Sequence, residues 1–225
     1  MSHHPLKKSE MNTNDWYRKS RNGRVIEAPQ RHLILCEGEQ TEPNYFDGMA
    51  NKINSKHRGR VSIEVQDTGE GRLKLLETAQ EVVKKYVDIS HVWLVFDKDD
   101  FPKDEFDNTV HKVKTLNKKS KIKYHVLWSN QCIEFWFLLH FIDLKTDIDR
   151  KEYINKLNIE FKKHKIVGKY AKNDTQIFDK LLPYYKIAID RADKIITENK
   201  GKAPSQIKPG TNVYEILLML GKYFE

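Results

Sequence analysis

The sequence predicts an α/β protein: a parallel sheet of about four strands flanked by helices, followed by a helical C-terminal half. Three observations carry this expectation. Short, wholly apolar runs such as Leu33–Cys36 and Val92–Phe96 mark strands buried on both faces, as in parallel sheets. These runs alternate with stripes at helical spacing, the β-α-β-α order that places helices on both sides of such a sheet. After Trp128 the strand signal stops and helical periodicity continues. A chain of 225 residues can bury the core of one such domain. The expected organisation is a basic, flexible N-terminal arm over 1–30, an α/β core over 31–145, and a helical extension packed on the core over 146–225.

Taken in order, Leu33–Cys36 is the first strand, and Thr41 can cap the next helix, with Pro43 in its first turn and Tyr45, Phe46, Met49 and Ile53 on its apolar face. Val61–Val65 alternates as a second strand and runs into the turn 67–71. Leu73, Leu76, Ala79, Val83 and Tyr86 form a helical stripe before the third strand, Val92–Phe96. Pro102 opens a helix carrying Phe106, Val110, Val113 and Leu116, and Ile122–Trp128 is the fourth strand. Ser129, Asn130 and Gln131 can cap a buried helix from Ile133 to Phe141. Three more stripes follow, at Tyr153, Leu157 and Phe161, at Ile177, Leu181 and Leu182, and at Val213, Ile216, Leu217 and Leu220. Asn212 with Glu215 resembles a capping box for the last helix, and Gly201, Pro204, Pro209 and Gly210 mark a loop before it.

Composition narrows the function classes. The chain is 39% hydrophobic and 32% charged, and no apolar stretch approaches the roughly 20 residues that span a bilayer. The N-terminus is polar and lacks a hydrophobic signal core, so a cytoplasmic location with no membrane partner is expected. Cys36 and Cys132 both fall in apolar elements, which supports neither a disulfide framework nor a cysteine zinc site. The histidines are scattered without zinc-ligand spacing, and no Gly-x-x-x-x-Gly-Lys-Ser/Thr loop is present. A net charge of +8 suits an anionic partner such as nucleic acid. In the arm, Lys7, Lys8, Arg18, Lys19, Arg21 and Arg24 outnumber the acids, which fits either a solvated tail or an arm lying along phosphates.

Two acidic clusters follow the first and third strands: Glu37-Gly38-Glu39 and Asp97-Lys98-Asp99-Asp100. In an open parallel sheet, residues just past the carboxyl ends of strands converge in one crevice. Two carboxylates about 4 Å apart repel by roughly 4 kcal/mol at an effective dielectric near 20, so such a cluster calls for protonation, solvation or a cation. On an extended segment Asp97 and Asp99 point to the same side, so both can approach one ion. Mg²⁺, or Mn²⁺ in its place, suits hard oxygen ligands completed by water and substrate phosphates. The acids therefore point to a metal-dependent enzyme acting on a phosphodiester. Gly38 is expected to permit a tight turn after the first strand.

The run Leu33-Ile34-Leu35-Cys36-Glu37-Gly38-Glu39-Gln40-Thr41-Glu42-Pro43-Asn44-Tyr45-Phe46 resembles the opening motif of the RloB-like family, a Toprim-related group from bacterial restriction and anti-phage loci. The segments Val95–Asp99, Ser129–Trp136, Lys169–Lys172 and Gly210–Glu215 resemble that family's later motifs, so the likeness spans about residues 30 to 225. Gln131 departs from it, since a proline is expected in that turn. The resemblance implies a Toprim-like (Rossmann-like) sheet and Mg²⁺-dependent nuclease chemistry on DNA or RNA, including tRNA. It also implies an effector role in anti-phage or abortive-infection defence beside a separately encoded ATPase. Glu37, Asp97 and Asp99 would be metal ligands with catalytic roles. Glu134 would be an outer ligand or base, or else a first-turn glutamate satisfying its helix dipole. Lys172 would neutralise charge developing on phosphate. The alternative function is a latent or non-catalytic Toprim-derived module that senses or docks within an ATPase complex.

Overall fold

The apolar runs form the strands expected of them. The computed structural model describes residues 29–68, 72–86, 88–98 and 102–224. Strand β1 (Gln30–Cys36) leads into helix α1 (Thr41–Lys56), then β2 (Val61–Asp67), α2 (Arg72–Lys84), β3 (His91–Asp97), α3 (Lys103–Leu116) and β4 (Lys123–Asn130). Helices α4 (Glu134–Leu139), α5 (Arg150–Lys163), α6 (Ile177–Leu181) and α7 (Tyr185–Glu198) follow, then β5 (Gly210–Thr211) and α8 (Tyr214–Leu220). The sheet has five strands in the order β2-β1-β3-β4-β5, one more than expected. Its first four are parallel, and the two-residue β5 pairs antiparallel with β4.

This order fixes where a ligand can sit. From β1 the chain crosses to β2 on one side, then returns past β1 to place β3 on the other. The carboxyl ends of β1 and β3 therefore flank the topological switch point, where open α/β sheets leave a crevice. Helices cover both faces. Phe96 and Trp128 meet Phe106 of α3 edge to face on one side. On the other, Trp136 Nε1 of α4 donates to the Tyr45 hydroxyl of α1 at 3.0 Å. Because side chains alternate along a strand, Asp97 faces away from Phe96, toward the α4 side.

Several local expectations change. Thr41 is the first residue of α1 and makes no side-chain cap; Gln40 holds the cap position. Ser129 and Asn130 belong to β4, and α4 begins only at Glu134. The Asn130–Gln131 peptide is cis. The Asn130 side chain turns away to donate to the Ile207 carbonyl at 2.8 Å. In α2, Leu75 is fully buried whereas Leu76 is only partly so. Asn212 is not a helix cap: its Oδ1 accepts from the Trp128 amide and its Nδ2 donates to the Val126 carbonyl, both at 2.7 Å. A side-chain amide thus extends β4 past the short β5. Asn54 does the same for β2, at the sheet's other edge, through both backbone groups of Ile63. Such pairing blunts edges that would otherwise template another strand.

At the amino ends of the strands, opposite the crevice, the fold gathers three histidines that the sequence separates. His32 stacks on His91 with ring centroids 4.7 Å apart, and His91 Nδ1 lies 2.9 Å from His125 Nε2. Trp93 Nε1 donates to His32 Nδ1 at 3.1 Å, so His32 is held as the neutral Nε2–H tautomer, with that nitrogen buried and unpartnered. Burial, reinforced by the neighbouring imidazoles, pushes His32 down to about 3; burial also pushes His125 down to about 4. Groups depressed in the folded state keep their contribution above the unfolded value near 6.5 and lose it progressively as pH falls from there through the folded values. At pH 5 each of these two should cost about 2 kcal/mol. Thermal unfolding followed from pH 7 to pH 5 should show that loss, and His32→Asn, which keeps an acceptor for Trp93, should remove about half of it; a parallel pH dependence in the variant would contradict this assignment.

Candidate metal and phosphate site

The Glu37 amide donates to the Val95 carbonyl at 3.0 Å, continuing the β1–β3 ladder past Cys36. That bond holds Glu37 beside the end of β3, where Asp97 stands. Asp97 closes β3, is 7% exposed, and accepts from the Ile133 amide through Oδ2 at 3.2 Å. Ile133 sits immediately before α4, whose first residue is Glu134. A cleft of about 420 Å³ is lined by Glu37, Glu42, Asp97 and Glu134, with Arg150 and Lys172 supplying positive charge. The residues opening α1, Gln40 and Thr41, line it too, so that helix directs its amino end at the cleft.

Glu134 is only 3% exposed, and its Oε1 accepts from the Tyr170 hydroxyl at 2.9 Å. Burial, then the Glu134 carboxylate, drives the Tyr170 phenol far above its ordinary range, and Thr41 also bonds it. Tyr170 therefore stays a neutral donor. A first-turn glutamate serving only its own helix would need no such tether, so the bond sets Glu134 apart as a positioned carboxylate. Tyr170→Phe leaves a buried acceptor without its donor, and should cost roughly 1–3 kcal/mol in denaturant unfolding; an unchanged midpoint would show the bond to be idle.

The chain does bend at Gly38 into α1, though its φ is not left-handed, and a Cβ placed there would meet the carboxylate end of the Glu42 side chain, which would have to shift. Glycine at 38 makes room for that carboxylate at the cleft. Cysteine chemistry is not supported, because burial pushes the Cys36 and Cys132 thiols well up, away from the reactive thiolate.

Of the residues singled out from sequence, Glu37, Asp97, Glu134 and Lys172 share this cleft. Asp99 lies outside the described residues, as do Lys7, Lys8, Arg18, Lys19, Arg21 and Arg24. Among the described residues no three His, Cys, Asp or Glu side chains converge closely enough to hold a metal ion by themselves. The donors present are all hard carboxylate oxygens, the set that suits Mg²⁺, which usually takes one or two carboxylates and completes its shell with water and phosphate. The donor chemistry therefore fits the ion. Two cleft residues carry no role in the sequence analysis: Glu42, present only as one position of the opening motif, and Arg150, at the start of α5 and in no motif at all. Tyr170 falls in the Lys169–Lys172 motif, which implies no role for it.

A model of the RloB-like protein family matches residues 32–220. The chain belongs to the RloB-like family. A search of curated proteins finds no match. The match takes in the whole cleft of this RloB-like protein, from Glu37 to Lys172, together with β5 and Asn212. Among the described residues no helix is long and apolar enough to cross a membrane.

Proposed function

We propose that this RloB-like protein is a Mg²⁺-dependent nuclease with a Toprim-like site, acting as the effector of an anti-phage system beside a separately encoded ATPase. The observation that carries the reading is the meeting of Glu37 and Asp97 at the switch point of the sheet, with Glu134 behind them. Glu37 and Asp97 would hold the ion, with Asp99 following Asp97 in sequence as a further donor. A bound divalent ion would supply charge neutralisation at the attacking and leaving oxygens of an in-line displacement. Glu134, which Tyr170 tethers, would orient a water or accept its proton. Lys172 and Arg150 bring cationic side chains to the same cleft, where they would face the non-bridging phosphate oxygens.

The test is metal-dependent cleavage of DNA, total RNA and tRNA, with the partner ATPase present and absent. The nuclease reading expects cleavage with Mg²⁺ or Mn²⁺ that chelation abolishes. No cleavage of any substrate, even in the activated complex, would leave the latent interaction module as the better account.

A further inference from the structure

The lysine-rich segment that enters the cleft has no part in holding an ion. Residues 162–172 read KKHKIVGKYAK, five lysines and no acid. Helix α5 ends at Lys163, and its last turn closes with the Ile166 amide donating to the Phe161 carbonyl at 2.8 Å. Lys165, with φ 56°, and Gly168, with φ 89°, then reverse the chain in left-handed conformations. The far side is pinned where the Tyr170 amide donates to Asn158 Oδ1 at 2.8 Å. Two residues on, Lys172 lines the cleft, and Tyr170 itself tethers Glu134. This is a fixed turn, anchored at both ends and running into the acidic site.

Its charge is uncompensated. Glu160 is engaged by Lys163 at 2.6 Å, and Asp174 by Lys180 at 2.7 Å. Lys162, Lys165, Lys169 and Lys172 are exposed and, among the described residues, have no ion-pair partner. Between Lys165 and Lys169 stands Val167, 86% exposed, the most exposed large apolar side chain described. Uncompensated like charges on one anchored segment are complementary to a polyanion, and an exposed apolar side chain among them can rest against a sugar or base.

We infer that the 162–172 turn is a nucleic-acid-binding surface, which grips the phosphate backbone beside the scissile bond and guides the strand into the cleft. The inference rests on the cleft being a phosphodiester site, and it names where the rest of the polymer lies.

The test measures binding of labelled single-stranded oligonucleotides, DNA and RNA, to the full chain in EDTA across a range of salt, so that neither metal nor cleavage enters. In the triple variant Lys162→Gln, Lys165→Gln, Lys169→Gln, the slope of log affinity against log salt should fall by about 2, since each phosphate contact to a single strand contributes roughly 0.7. Affinity near 0.1 M salt should drop about a hundredfold. The matching lysine-to-arginine triple should keep both values. A slope in the glutamine triple equal to that of the parent, or a parent with no salt-dependent binding, overturns the assignment. Failure of the cleft as a metal site would appear only in metal binding, so the two outcomes are distinguishable.

Discussion

Glu37→Gln and Asp97→Asn are each expected to abolish metal-dependent cleavage while leaving the protein folded. Both substitutions keep the size of the side chain and remove one of the charges that crowd the carboxyl ends of β1 and β3. Asp97 accepts the Ile133 amide through a single oxygen, and the amide oxygen of asparagine can accept it equally. The Glu37 backbone, not its side chain, holds the ladder to Val95. The fold should therefore survive, and relief of like-charge repulsion can even raise stability in the absence of metal. The loss of activity should exceed the roughly 10- to 100-fold that removal of an outer-shell partner costs, because these carboxylates would touch the ion itself. Retained cleavage in both variants would place the chemistry elsewhere.

The second large effect is expected in cells. If the proposed function holds, a locus carrying the protein and the proposed ATPase partner should resist phage, and Glu37→Gln in that locus should remove the resistance. Partner binding should persist in the variant, since position 37 lies in a cleft and the substitution leaves the backbone bond to Val95 in place. Co-purification from the variant locus separates loss of chemistry from loss of assembly. Full protection by the Glu37→Gln locus would make the acidic site dispensable for defence and favour the interaction-module reading.

The parts of this molecule that could be read from sequence are those with dense local signals. Leu33–Cys36 and Val92–Phe96 are apolar without interruption because both faces of their strands are buried, so their ends, and the acids just past them, could be located. That the ends of these two strands share a crevice was expected from where open parallel sheets gather such residues, and the order β2-β1-β3-β4-β5 sets them side by side. Contacts between distant segments were out of reach. β5 is two residues long, too short for alternation to register, and it exists because β4 offers an edge that Asn212 completes. The Asn212–Glu215 spacing suited a cap, but two open groups on β4 claimed the amide first. His32, His91 and His125 have no shared spacing and meet only because β1, β3 and β4 lie side by side. Tyr170 was visible in a motif, yet its purpose depends on a buried carboxylate near the start of α4.

The most direct measurement is titration calorimetry of Mg²⁺ and Mn²⁺ into the wild-type chain and into Glu37→Gln and Asp97→Asn. This account predicts binding to the wild-type protein and none to either variant, with thermal unfolding confirming that all three are folded. Equal metal affinity in the wild type and both variants would contradict it.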